Sequence, residues 1–150
     1  MEIKEQWIES EKYRVSRRAY NQQSLDKQSI ELINNLIKDI NAESGLNFQL
    51  LKDCSQLFKG FSASYGMIKG LSSCIALVGN ENIENFKNKV GYYGEMVVLE
   101  ATNINLGTCW LGGTYDKKEC EKYININEGE QLVCVIAIGY TEDSKSFREK

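Results

Sequence analysis

Apolar residues recur at two periods along this chain, and the switches between the periods mark its elements. Over residues 26–42, Ile30, Ile33, Ile37 and Ile40, flanked by Leu32 and Leu36, repeat every three to four positions behind a candidate cap, Asp26, which predicts an amphipathic helix. Ile3, Trp7 and Ile8 in a charged stretch predict a shorter helix over about residues 2–12. Continuous apolar runs predict buried strands: CIALVG at 74–79 and QLVCVIAIGY at 131–140, the second apolar on both alternating faces and so expected at the centre of a sheet. Residues 46–51 alternate loosely as a further strand, followed by one or two helical turns over 52–59. A short helix capped by Asp116 is expected to run to about residue 123, and Glu128 with Gly129 marks a turn.

Residues 91–115 are the densest stretch. Met96, Val97, Val98, Leu99 and Ala101 have only Glu95 and Glu100 as nearby charges, so a helix over 94–106 is apolar on most sides and is expected to be buried. Residues 105–107 are expected to stop it, with Gly107 in the left-handed conformation that glycine adopts without a Cβ penalty. Residues 108–111 then form a strand, and Gly112 and Gly113 follow as a bare backbone corner where a bulky planar ligand can approach main-chain N–H groups.

Composition narrows the function classes. A chain of 150 residues, 42% hydrophobic and 26% charged, suits a single domain spanning 1–150. Its net charge of −3 argues against a nucleic-acid surface, which needs clustered excess cations. No apolar run approaches the ~20 residues of a membrane span, and the N-terminus has no signal-peptide core, which points to the cytoplasm. The five cysteines form no CxxC pair and read as buried free thiols rather than a zinc or disulfide framework. Histidine is wholly absent, which removes Ser-His, Cys-His and histidine-metal catalysis and leaves chemistry to a cofactor.

Two segments carry candidate chemistry beyond the glycine corner. Lys12, Arg14, Arg17 and Arg18 surround Ser16, a donor set suited to a phosphate monoester or carboxylate, although basic residues also sit at solvated helix ends. In an extended segment Arg14, Ser16, Arg18 and Tyr20 would share one face. Residues 60–73, rich in glycine and serine, predict a long loop that either serves the site or merely connects. Tyr65, Met67 and Ile68 in it either cover a planar ligand or plug the core.

Arg14, Ser16, Arg18 and Tyr20 match an R-x-S-x-R-x-[FY] pattern, and N-L-G-T-C-W-L-G-G at 105–113 matches a G-L-G-T-x-W-[LI]-G-G segment after a central helix. With Gly91-Tyr92-Tyr93-Gly94-Glu95 ahead of that helix and the YGMIKG loop, most of the chain resembles the nitroreductase family of FMN-dependent enzymes. The resemblance implies an α+β fold with a small central mixed β-sheet flanked by helices. It implies that Arg14, Ser16 and Arg18, with the Val15 backbone nearby, hold the FMN phosphate, and that Gly112 and Gly113, beside Trp110 and Leu111, present amides to the flavin N5 edge. It further implies NAD(P)H as reductant, a small-molecule acceptor such as a nitroaromatic or quinone, and a homodimer whose central helices pack together with FMN at the interface.

The sequence departs from the family in one respect. An A-x-S-x-x-N-x-Q-P-W type motif is absent, and the chain contains no proline, so the fold is expected to be incomplete at the C-terminus, with Lys145 and Arg148 either standing for a basic phosphate-contacting segment or being solvated tail charges. The alternatives to a working oxidoreductase are a non-catalytic dimeric relative with an incomplete flavin pocket and a binder of another anionic small molecule.

Overall fold

The computed structural model describes residues 1–59 and 68–141. Among them are helices α1 (Glu5–Glu11), α2 (Lys27–Ser44), α3 (Phe86–Asn103) and α4 (Lys117–Glu121) and strands β1 (Gln49–Leu51), β2 (Ser73–Asn80), β3 (Gly107–Leu111) and β4 (Glu130–Gly139), with a 3-10 turn at Ser55–Phe58. The strands form one sheet in the order β1-β2-β4-β3, every neighbour antiparallel. This is the expected α+β architecture. Among the described residues, parallel pairing is confined to two isolated bridges, Ser16 with Thr108 and Ala19 with Lys69.

Alternation along the two central strands explains why their sequences are apolar throughout. Ile75 and Leu77 of β2 and Ile136 and Ile138 of β4 face the core that α1, α2 and α3 build, with Trp7, Ile33, Ile40, Val97 and Ala101. Cys74, Ala76, Val78, Val135 and Ala137 point the other way, onto Leu57, Tyr115 and Cys120. Antiparallel strands covered on both faces read as continuous hydrophobic runs, a pattern more common in parallel sheets. A register shift between Leu77 and Val78, paired to Cys134 and Leu132, leaves Val133 as the extra residue of a bulge. Cys134 beside it is half-buried rather than fully buried, because the bulge turns that part of β4 outward.

The helix ends follow local chemistry. Asp26 caps α2 by accepting the Ser29 amide at 2.7 Å, and Asp116 caps α4 by accepting that of Glu119 at 3.1 Å. At the end of α3 the left-handed residue is Asn105 (φ 64), not Gly107. Leu106 N–H donates to Ala101 O at 2.9 Å and Asn105 N–H to Thr102 O at 3.0 Å, the double closure of a Schellman motif. Gly107 already belongs to β3, where its missing Cβ has another cause: an added Cβ would lie 2.5 Å from Thr141 Cγ2 and 2.9 Å from Arg17 Cγ.

α3 is held from both sides. α1 docks on it through fully buried Trp7 and through Lys4, whose Nζ lies 2.9 Å from the carboxylate of Glu100. Met96, Val97, Val98 and Ala101 are buried within the chain. The apolar surround of this helix is therefore accounted for by packing against α1, α2 and the sheet. At its other end the Tyr93 hydroxyl donates to Glu43 Oε2 at 2.6 Å, tying α3 to the end of α2. That bond, with burial, pushes the Tyr93 phenol up to about 12. A phenol raised in the folded state stabilises the fold below its ordinary value of 10.0 and loses that contribution as the pH climbs through about 12. Urea unfolding at stepped pH is therefore expected to show a steeper fall in stability between pH 10.0 and about 12 for wild type than for Tyr93→Phe; identical slopes would count against the bond.

Candidate functional site

The N-terminal basic segment begins as the tail of a helix. Tyr13 and Arg14 amides both donate to Ser10 O at 3.0 Å, so Arg14 still belongs to the closing turn of α1. Beyond it the chain joins the outer edge of β3. Ser16 bridges Thr108 in parallel, and Arg17 N–H donates to Thr108 O at 2.8 Å. Lys69 N–H donates to Arg18 O at 2.9 Å and Tyr20 N–H to Lys69 O at 2.8 Å, carrying the segment across the end of the sheet.

The four motif side chains do not share one face. Ser16 and Arg18 are exposed, Arg14 and Val15 half-buried, and Tyr20 is turned into the core. Alternation fails because the first of the four sits on a helical turn and only the later ones on extended backbone. Burial drives the Tyr20 phenol far above its usual range, so it stays neutral and donates to Arg17 O at 2.7 Å. Tyr20 thus works as an internal strut for the segment that presents Ser16 and Arg18.

At the other motif, Trp110 is the outward residue of β3, 36% exposed, whereas the Leu111 side chain is buried in the core. Gly112 and Gly113 are exposed, and a Cβ built on either would meet nothing within 4 Å, so both peptide groups border open space. Next to them, the Thr114 Oγ1 is buried with no hydrogen-bond partner among the described residues. An unpaired buried hydroxyl is costly and needs a reason; a ligand at the corner would supply one.

The two motifs meet on α3. The Trp110 indole N–H donates to Glu95 Oε1 at 3.4 Å, and Arg14 Nε lies 3.8 Å from Glu95 Oε2. Gly94 makes room for this arrangement, since a Cβ there would fall 2.4 Å from Trp110 Cη2, and the indole rests on helix backbone. The arrangement therefore offers cationic and hydroxyl donors from Arg14, Ser16 and Arg18, an aromatic wall from Trp110 and an open amide corner beyond it. The sequence reading has Gly94 and Glu95 in the family segment ahead of the helix and gives neither a place in the site. The signal was a carboxylate beside a glycine at the start of the helix's apolar run.

Other features lie away from this constellation. A cleft of about 520 Å³ is lined by Gln22, Lys52, Asp53, Phe58 and Leu71 among others; of the sequence candidates it contains Ile68 of the predicted loop but neither the basic segment nor the glycine corner. Burial pushes the Cys120 thiol up to about 12 and that of Cys134 to about 11, which keeps these two protonated. Among the described residues no group of His, Cys, Asp and Glu could hold a metal ion, and no helix is long and apolar enough to cross a membrane. Tyr65 and Met67 of the predicted loop, and Lys145 and Arg148 of the tail, lie outside the described residues.

Gly94→Ala tests how the aromatic wall is seated. The added methyl is expected to lift the indole from the helix and shift its emission to the red, despite a helix-propensity gain of about 1 kcal/mol. Trp7 is fully buried and Trp110 is not, so the red edge reports Trp110; an unchanged spectrum would contradict the packing described.

Comparison with known proteins follows the same lines. A family model described as "Putative TM nitroreductase" matches residues 6–150. Among solved structures, an FMN-dependent nitroreductase from Clostridium difficile is 18% identical with a TM-score of 0.71, over 93% of this chain and 90% of that one. A nitroreductase with bound FMN from Desulfitobacterium hafniense is 14% identical with a TM-score of 0.71, over 96% and 93%. A nitroreductase family protein from Clostridium novyi is 19% identical with a TM-score of 0.69, over 97% and 88%. Such low identity establishes a shared fold. Comparison with curated proteins gives no match. The match over residues 6–150, on a chain with this fold, places the protein in the "Putative TM nitroreductase" family, to which it belongs.

Proposed function

We propose that this protein is an FMN-dependent oxidoreductase whose cofactor site lies between the α1 end, the Glu95 region of α3 and the glycine corner after β3. One observation carries the reading: Arg14 and Trp110, from segments nearly a hundred positions apart, both contact Glu95, so the two motifs of the family resemblance converge on one carboxylate. The residues fit the group. Arg14, Ser16 and Arg18 supply charge-assisted and hydroxyl donors for a dianionic phosphate. Gly112 and Gly113 leave their peptide groups uncovered for a flat ring, and the unpartnered Thr114 hydroxyl lies beside them.

Bound FMN would supply two-electron redox chemistry between NAD(P)H as reductant and a nitroaromatic, quinone or similar acceptor. The chain's part is binding, orientation and electrostatics. Arg14 and Arg18 anchor the phosphate, Trp110 limits water at the ring, and N–H groups at Gly112 and Gly113 favour negative charge developing nearby. No imidazole is needed, which suits a chain without histidine.

We place the protein in the cytoplasm, where its five free thiols suit a reducing compartment. We also propose a homodimer. Its support is the exposure of Tyr92 on α3 and of Trp110 next to a glycine corner with open space around it, which a second copy would close. A second reading, a dimeric flavin- or ligand-binding relative without turnover, draws on the missing proline-containing motif.

Titration with FMN followed by NAD(P)H addition separates the two. The oxidoreductase reading expects saturable binding and bleaching of the bound flavin near 1:1; binding without bleaching selects the second reading in its flavin-binding form, and no binding removes the oxidoreductase reading. Arg14→Ala is expected to weaken FMN about tenfold or more while leaving riboflavin, which lacks the phosphate, nearly unchanged. Equal loss for both ligands in equilibrium dialysis would contradict the phosphate role.

A further inference from the structure

Glu95 is out of place by composition. It sits on a helix whose neighbours Gly94, Met96, Val97 and Val98 are all buried, and its own side chain keeps 40% exposure. Its two oxygens serve different partners: Oε1 accepts the Trp110 indole N–H at 3.4 Å, and Oε2 faces Arg14 Nε at 3.8 Å. Neither contact adds much stability. An ion pair between partly exposed groups at this length contributes little, and a 3.4 Å hydrogen bond is at the long end of the range. Geometry is what the carboxylate supplies. It holds Arg14, 33% exposed, at the end of α1, and it holds the indole against the helix at Gly94.

We propose that Glu95 is a positioning residue of the cofactor site, orienting Arg14 for a ligand phosphate through one oxygen and keeping the Trp110 ring down on the helix through the other. The proposal rests on the FMN reading of Arg14. It gives Glu95 no contact with the ligand. Both partners of Glu95 are polar hydrogens at the two ends of the site, so a single side chain coordinates the phosphate end with the ring end.

Two substitutions separate the two oxygens' roles. Glu95→Gln keeps an oxygen for the indole and removes the charge opposite Arg14; Glu95→Ala removes both. The measurements are the dissociation constants of FMN and riboflavin and the tryptophan emission of the flavin-free protein. Glu95→Gln is expected to weaken FMN about twofold to fivefold with riboflavin and emission unchanged, the size of a lost exposed ion pair. Glu95→Ala is expected to weaken both flavins and to shift emission to the red as the indole lifts. A purely structural role would weaken both flavins equally in Glu95→Gln, leaving the FMN-to-riboflavin ratio at its wild-type value, and that result overturns the proposal. Tighter FMN binding by Glu95→Gln also overturns it, since Glu95 would then be a competitor for Arg14. Wild-type protein that binds neither flavin overturns the cofactor reading and this proposal together, whereas wild-type binding with an unchanged ratio in Glu95→Gln overturns this proposal alone.

Discussion

The junction on which the candidate site depends is the one between Ser16 and the outer edge of β3. A strand edge exposes unpaired N–H and C=O groups, and here Thr108 is paired by the Ser16 bridge and by the Arg17 amide at 2.8 Å. That pairing fixes the basic segment two residues from Trp110 and four from Gly112. The absence of a side chain at Gly107 is part of the same junction, because Arg17 and Thr141 occupy the space a Cβ would need. Without this contact the arginines would belong to a loose helix end, and the glycine corner would have no anion-binding partner.

Behind the junction, the sheet and α3 give rigidity. β2 and β4 are apolar on both faces because helices cover one and the 3-10 turn and α4 cover the other. α3 lies in the helical layer with Lys4 and Trp7 of α1 on it, so the helix that delivers Arg14 is docked on the helix that carries Glu95. Site geometry thus comes from core packing, while the polar contacts between Arg14, Glu95 and Trp110 are individually weak and settle only orientation.

Much of this was legible in the chain. The two long apolar runs, the Asp26 and Asp116 caps and the isoleucine ladder of α2 obey local rules, and the structure follows them within a few residues. The misplaced features depended on contacts between distant segments. Asn105 rather than Gly107 closes α3 because Gly107 is required by Arg17 and Thr141, which sequence spacing cannot show. Arg14 leaves the alternation because α1 extends its last turn to it, and Tyr20 leaves it because its ring enters the core and its hydroxyl meets Arg17 O. The burial of α3 by its own chain was hidden for the same reason: an all-round apolar helix looks alike whether covered by its own chain or by a partner. Glu95 was visible only as a charge in the wrong company, and its two partners emerge once β3 and α1 are placed beside α3.

The most direct test of the account is an amide NMR titration of the protein with FMN, following the Gly112 and Gly113 N–H signals, the Trp110 indole N–H and the Arg14 Nε–H. The account predicts saturable shifts at all four with one common dissociation constant. Shifts confined to the cleft bordered by Gln22, Lys52 and Leu71, with these four signals unmoved, would contradict it.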